Sequence, residues 1–312
     1  MTAALLLCAY ALLITRLAPL ALRRADRAPR LAVTAWYAAV VTVGSSLIAA
    51  AALLVATPEH SWERLCALVR LCVEALQGAH DWIGVLLAAL ALAGAAIVSF
   101  RIGVAAVGTL GASMRGRLRQ ARLAATAGRR LPGTGATVVD HDVATAYLVP
   151  GRHATIVVTS AAVEALTGRE LAAVIAHEQG HHSGRHHLLV DGMRVLTRAF
   201  PRSRFLAVAH AQVALLVEIC ADESAARRHS RIDLARALVT MAEAQALPTV
   251  LAASGGDALT RIKRLLSPPV PLGRGTRAGL TAALAAMASA PVAVAGLALA
   301  WPLLMDCPAP FV

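Results

Sequence analysis

Residues 167–187 read TGRELAAVIAHEQGHHSGRHH. Thr167 and Glu170 stand three residues apart, the pattern of a capping box that satisfies the first free N–H groups of a helix. Leu171 to Ala176 is a run of good helix formers with no breaker. The spacing predicts a helix that continues through His177-Glu178-Gln179-Gly180-His181. His177 and His181 then stand at i and i+4 on one face, so both imidazoles can reach a single ion. That pattern implies one Zn2+ per chain. Zinc lowers the pKa of a bound water toward 7, and Glu178, on the flank of the same face, is placed to take that water's proton as general base. The competing reading is a solvated, histidine-rich face, because His182, His186 and His187 follow directly. Those three are expected at the surface.

A catalytic zinc needs a third protein ligand and one open position. Glu218 is the best candidate, in Ala214-Leu-Leu-Val-Glu-Ile-Cys-Ala-Asp222. A carboxylate in so apolar a helix is costly unless it is paired or metal-bound. The neighbouring Glu223 lies in a more polar stretch. Asp222, four residues on, shares a face with Glu218 and can accept the ring N–H of a zinc-bound histidine. The alternative for both acids is an ion pair with Arg194 or Arg228.

The surroundings are those of a membrane protein. The 312 residues are 58% hydrophobic and 15% charged, too apolar for an ordinary soluble domain. Four apolar segments can span a bilayer, which needs about 20 helical residues: 3–22, 31–56, 82–100 and about 278–304. The third is expected to continue as helix toward Met114, and Pro291 predicts a kink in the fourth. The region 1–112 is therefore read as membrane domain, 113–275 as a peptidase domain, and 276–312 as the last span with a short tail. The net charge of +12 is carried by arginine, with Lys263 the only lysine. Arg16, Arg23, Arg24, Arg27 and Arg30 follow the first segment, beside one acid, Asp26. Charge placed after the apolar run marks an uncleaved span and not a signal peptide. Between the second and third segments Glu59, Glu63, Glu74 and Asp81 outnumber Arg64 and Arg70. After the third come Arg101, Arg115, Arg117, Arg119, Arg122, Arg129 and Arg130 with no acid. Basic, acidic, basic places both termini outside and the central region in the cytosol of a multi-pass cell-membrane protein. Trp62, Trp82 and Trp301 are expected at the outer interface, Trp36 and Tyr37 at the inner one. No nucleic-acid-binding motif accompanies the charge, so direct nucleic-acid binding is not expected.

Within the central region, Val138 to Val149 reads as strand and turn, Pro150-Gly151 as a turn, and Thr155–Thr159 (TIVVT) as a strand. An extended peptide substrate is expected to pair with TIVVT beside the zinc helix. Cys8 and Cys220 read as small core residues. Cys66, Cys72 and Cys307 fall on the outer side, where a disulfide would be allowed. Ser267 to Gly275 carries three prolines and reads as a linker.

These pieces, in this order, resemble the membrane metallopeptidases of the BlaR/MecR (antirepressor) type: three spans, an Arg-rich start, TIVVTS, TGRELAAVIAHEQGHHSGRHH, VEICADESA, RIKRLL before a Pro linker, and a fourth span. The resemblance covers nearly the whole chain. It implies a mainly α membrane protein with a gluzincin-like α+β zinc peptidase domain inserted between the third and fourth spans. It also implies His177, His181 and Glu218 as zinc ligands, Glu178 as catalytic base, and a cytosolic protein substrate such as a transcriptional repressor. The chain departs from the antibiotic-sensing members. Only about eight residues follow the fourth span and no S-x-x-K motif occurs, so the outer penicillin-binding sensor is expected to be missing. HtpX-type quality-control proteases share both motifs but carry two spans on each side of the domain; three before and one after suits the BlaR/MecR arrangement. A non-enzymatic signalling protein with a structural metal site is the further alternative. The retained Glu178 argues against it, since a structural site needs no base. Arg227 and His229 are candidates for stabilising an oxyanion, against a plain surface role.

Overall fold

The computed structural model describes residues 2–22, 27–55, 82–149, 154–244 and 248–305. Arg23, Arg24, Asp26, the acidic loop with Trp62, Cys66 and Cys72, the Pro150-Gly151 turn and Cys307 lie outside the described residues. In chain order the elements are α1 (Thr2–Leu22), α2 (Pro29–Val55), α3 (Trp82–Ala127), β1 (Arg129–Arg130), β2 (Ala136–Val139), β3 (Ala146–Val149) and β4 (Thr155–Thr159). Then come α4 (Ser160–Ala165), α5 (Gly168–Ser183), α6 (His186–Ala199), α7 (Arg204–Ala225), α8 (Arg231–Ala244), α9 (Pro248–Leu266) and α10 (Arg274–Met305). The chain divides into two compact units. One comprises Met1–Arg24, Thr34–Gly103 and Gly273–Val312; the other comprises Ala25–Val33 and Val104–Leu272.

In the first unit, Ala4 and Leu7 of α1 pack on Ala49 and Ala50 of α2, with Ala295 of α10 beside them. Small side chains let helix backbones approach where no hydrophobic drive exists between apolar faces. Buried hydroxyls are satisfied by carbonyls: Thr42 Oγ1 donates to Ala38 O at 2.7 Å and reaches Met287 O at 3.3 Å, and Ser46 Oγ donates to Thr42 O at 2.7 Å. Leu5, Leu12, Ile97, Phe100 and Leu297 are exposed, as a lipid-facing surface requires. Helix α10 runs unbroken through Pro291. Helix α3 extends past Met114 to Ala127 and carries the Arg-rich stretch on the same continuous helix.

Among the described residues, five helices are long and apolar enough to cross a membrane. Four are the expected segments. The fifth is α7, which bears Glu218. Burial separates it from the rest: 56% of its most apolar window is buried, against 33% or less for the others. Its apolar surface is taken up by packing inside its own unit, the property of a core helix.

The second unit holds a four-stranded sheet in the order β1-β2-β4-β3. Strand β4 runs parallel to β2 and antiparallel to β3. Ile156 and Val158 face a core with Leu171, Val174 and Ile175 of α5 and Ala237 of α8, while Val157 packs with Ala124 and Val149 on the other side. A strand buried on both faces reads as the unbroken β-branched run TIVVT. This corrects the expected substrate strand: β4 is paired along both edges and has no free ladder for a peptide. The edge strand beside α5 is β3, and its Leu148 N–H faces the Glu178 carboxylate. The opposite side of α5 packs through Ala173 and Ala176 onto Ala225 of α7, Leu234 and Ala235 of α8 and Leu265 of α9.

Candidate metal centre

Helix α5 starts as its sequence dictates. The Thr167 hydroxyl accepts from the Glu170 N–H, and Glu170 Oε2 accepts from the Thr167 N–H at 2.9 Å, closing the capping box. Ser203 caps α7 by accepting from the Leu206 N–H at 3.3 Å. The two helices approach closely at Gly180. A Cβ there would lie 3.1 Å from Ala221 Cα, 3.1 Å from Ser224 Cβ and 3.2 Å from the Ala221 carbonyl oxygen. The glycine inside HEQGH thus brings the second helix within reach of the first.

The result is a triangle of donors. Nε2 of His177 and Nε2 of His181 are 3.1 Å apart. Glu218 places Oε2 3.5 Å from His177 Nε2 and Oε1 3.4 Å from His181 Nε2. Nitrogen and oxygen ligands about 2.0–2.2 Å from a tetrahedral zinc lie about 3.3–3.5 Å from one another. The two Glu218 separations, each to its own carboxylate oxygen, match that spacing and the imidazole pair is slightly closer, so the three residues can hold a zinc ion. The chain's own charges surround it. Asp222 Oδ1 lies 2.9 Å from His177 Nδ1, although the ring N–H points off that line and makes no straight hydrogen bond. Arg261 of α9 forks onto Asp222, Nε to Oδ2 and NH2 to Oδ1, both at 2.8 Å, and sets NH1 3.0 Å from Glu218 Oε2.

Burial alone would depress the His177 pKa, but the Asp222 and Glu218 carboxylates outweigh it and raise the imidazole to about 9 without metal. The same balance works on Glu218. Burial of its helix pushes the carboxyl up, and the His177, His181 and Arg261 contacts hold it well below the usual carboxylate range. Its side chain keeps 37% of its exposure, opening on a cleft. Glu178 goes the other way: burial raises it, only partly offset by the two histidines and the Leu148 N–H. Neighbouring carboxyls pushed apart in this manner suit a ligand and a proton carrier. The cleft, about 470 Å³, is lined by this site, by Ala146, Tyr147 and Leu148 of β3, and by Arg117 of α3. Arg117 is anchored on the buried Asp191, which also accepts from Ser113 at 3.1 Å and Arg194 at 2.8 Å.

The structure therefore brings together His177, His181 and Glu218, with Glu178 in the same cleft. It pairs Glu218 and Asp222 with Arg261, not with Arg194 or Arg228. Arg227 and His229 do not line the cleft. Of the three trailing histidines, His182 is exposed as expected and His187 is half-buried at the cleft. His186 is buried: it is 7% exposed, with Nδ1 3.1 Å from Nδ1 of His181. Its ring is pushed down to about 4, by burial first and His181 second, and so stays neutral. Cys220 is buried, its thiol pushed up to about 11 by burial, an inert core residue. Arg261 and β3 were not singled out from sequence as parts of the site. The only local signal for Arg261 was its place in RIKRLL.

No curated protein and no solved structure gives a significant match to this chain. Residues 115–215, from the Arg-rich part of α3 through HEQGH and into α7 ahead of Glu218, match the family model described as Peptidase family M48, a family of metalloproteases.

Proposed function

We propose that this chain is a membrane-embedded, zinc-dependent endopeptidase, with His177, His181 and Glu218 as ligands and Glu178 as the catalytic acid–base. The observation that carries the reading is the convergence of two imidazoles and a carboxylate at 3.1–3.5 Å, next to a carboxyl raised by burial, in a cleft walled by the edge strand β3. The metal would supply a water acidified toward neutral pH and polarise the scissile carbonyl. Glu178 takes up a proton at its carboxylate and delivers it to the leaving amine; its raised pKa suits it to hold that proton near neutral pH. Asp222, 2.9 Å from His177 Nδ1, balances the charge of that ring, and Arg261 holds Asp222 and Glu218 in register. The edge of β3 binds substrate as an added strand, main chain to main chain, with Glu178 giving up the Leu148 N–H. The match to metalloproteases over residues 115–215 supports the reaction class.

We read four of the five apolar helices as spans and α7 as core, with the peptidase domain between the third and fourth spans. The arginine pattern supports a cytosolic face for that domain. Its substrate is then a cytosolic or membrane-proximal protein, a transcriptional repressor on the signalling reading or an unfolded membrane protein on the quality-control one.

The test uses the full chain in detergent with zinc and an unfolded fluorescent test protein. Glu178→Gln should cut cleavage by about 10²- to 10⁴-fold while zinc stoichiometry stays at that of the unmutated chain. Undiminished cleavage by this variant would falsify the assignment. Degradation of many unfolded proteins would favour a quality-control role, and one defined cut in a repressor the signalling role.

A further inference from the structure

We infer that His186 is a positioning residue for the metal centre: its Nδ1 accepts the Nδ1–H of His181 and fixes the tautomer that presents the His181 Nε2 lone pair to the metal. The inference rests on the zinc reading above and adds a residue to it.

The turn between α5 and α6 is built for this contact. Gly184 closes α5 in right-handed helical geometry, with φ −80° and ψ −7°. Arg185 then adopts φ 48°, the one positive φ at a non-glycine residue among the described residues. An L side chain pays for that conformation. The reversal folds His186, the first residue of α6, back over Gly184. A Cβ at residue 184 would sit 2.1 Å from His186 Nε2 and 2.4 Å from its Cδ2. Only a glycine leaves room for the ring. The imidazole meets His181 edge-on, centroids 4.9 Å apart at 87°.

Donor–acceptor logic sets the polarity. Two Nδ1 atoms at 3.1 Å need one hydrogen between them. On the zinc reading His181 Nε2 gives its lone pair to the ion it shares with His177 and Glu218, so its hydrogen is on Nδ1 and His186 accepts. The contact is to the far nitrogen of His181, which makes His186 a support and not a fourth ligand. A neutral acceptor also suits the charge balance. Glu178, Glu218 and Asp222 already crowd the site, and a carboxylate behind His181 would add another negative charge, whereas an imidazole orients the ring without one.

Zinc affinity of the full chain in detergent, read by competition with a chromogenic chelator, tests this. His186→Phe should weaken zinc by about 10- to 100-fold. His186→Asn, whose Oδ1 can take the acceptor position, should recover most of that loss. Gly184→Ala evicts the ring without touching it chemically and should weaken zinc similarly. In a His186→Phe background the same alanine should change affinity by less than about twofold, because both act through one contact. Unchanged affinity in His186→Phe, or fully additive losses in the double variant, overturns the inference. If His186→Phe fails to fold by circular dichroism, Gly184→Ala and His186→Asn decide: weakening by the first with near-normal binding by the second supports it, and normal binding by the first refutes it. A wild-type chain that binds no zinc defeats the metal centre itself. A wild type that binds zinc with indifferent variants at 184 and 186 defeats this inference alone.

Discussion

Replacing Gly180 by alanine puts one methyl group where α5 and α7 touch. The new carbon would lie 3.1 Å from Ala221 Cα and Ser224 Cβ and 3.2 Å from the Ala221 oxygen. Ordinary contacts begin near 3.4 Å, so the helices must part locally by a few tenths of an ångström. Glu218 sits less than one turn from Ala221 on α7, and its carboxylate closes the donor triangle at 3.4 and 3.5 Å. Metal–ligand distances tolerate only about 0.2 Å. In the metal-free protein the helices are free to ease apart. A metal holding both together forces the overlap back, and overpacking of this kind costs about 1–3 kcal/mol. Gly180→Ala should therefore weaken zinc by about 5- to 150-fold, measured by chelator competition on the full chain in detergent. Gly168→Ala is the control, on the same helix with open space around the added carbon. Wild-type affinity in Gly180→Ala, or an equal loss in Gly168→Ala, would refute the close-approach account.

Two further outcomes follow from the charges around the site. Arg261→Met strips a 13%-exposed guanidinium from the 5%-exposed Asp222 and should destabilise the metal-free protein by about 3–5 kcal/mol, read as a lowered thermal midpoint in detergent. Adding Asp222→Asn should restore part of that midpoint, and no recovery would argue against a bare buried carboxylate as the cause. The second concerns pH. His177 is raised to about 9 without metal, so at neutral pH it carries a proton that zinc must displace. Affinity should climb about tenfold per pH unit as pH rises toward 9 and then level off; calorimetry in buffers of different ionisation enthalpy should show about one proton released at pH 7, and pH-independent affinity between 6 and 8 would contradict the raised imidazole.

What could be read from sequence was local. The capping box, the run to Ala176 and the i, i+4 histidines lie within one helix, and each follows from residues a turn apart. Glu218 was legible because a carboxylate in VALLVEIC needs a partner wherever it lands. Its arginine was not legible: Arg261 meets Asp222 across 39 residues of chain, a pairing made only when α9 docks. Sheet order is nonlocal for the same reason. TIVVT nevertheless carried a clue, because a run without polar alternation belongs to a strand covered on both faces and not to an open edge. His186 was hidden by its neighbours. Histidines clustered after a metal motif look solvated, and the signal that one turns inward was the small residue two places earlier.

The length and apolarity of α7 bear on how the chain is made. Its 22 residues extend about 33 Å, enough to be accepted by a translocon as an anchor. An ionised side chain near the middle of such a segment raises the cost of insertion by about 3 kcal/mol. Glu218, one turn past the midpoint of α7, would therefore disfavour insertion of this helix, and α5, which precedes it in the chain, offers its apolar surface a place to pack. Replacing Glu218, Asp222 and Glu223 by apolar residues would leave α7 no less apolar than the other four helices long enough to cross a membrane.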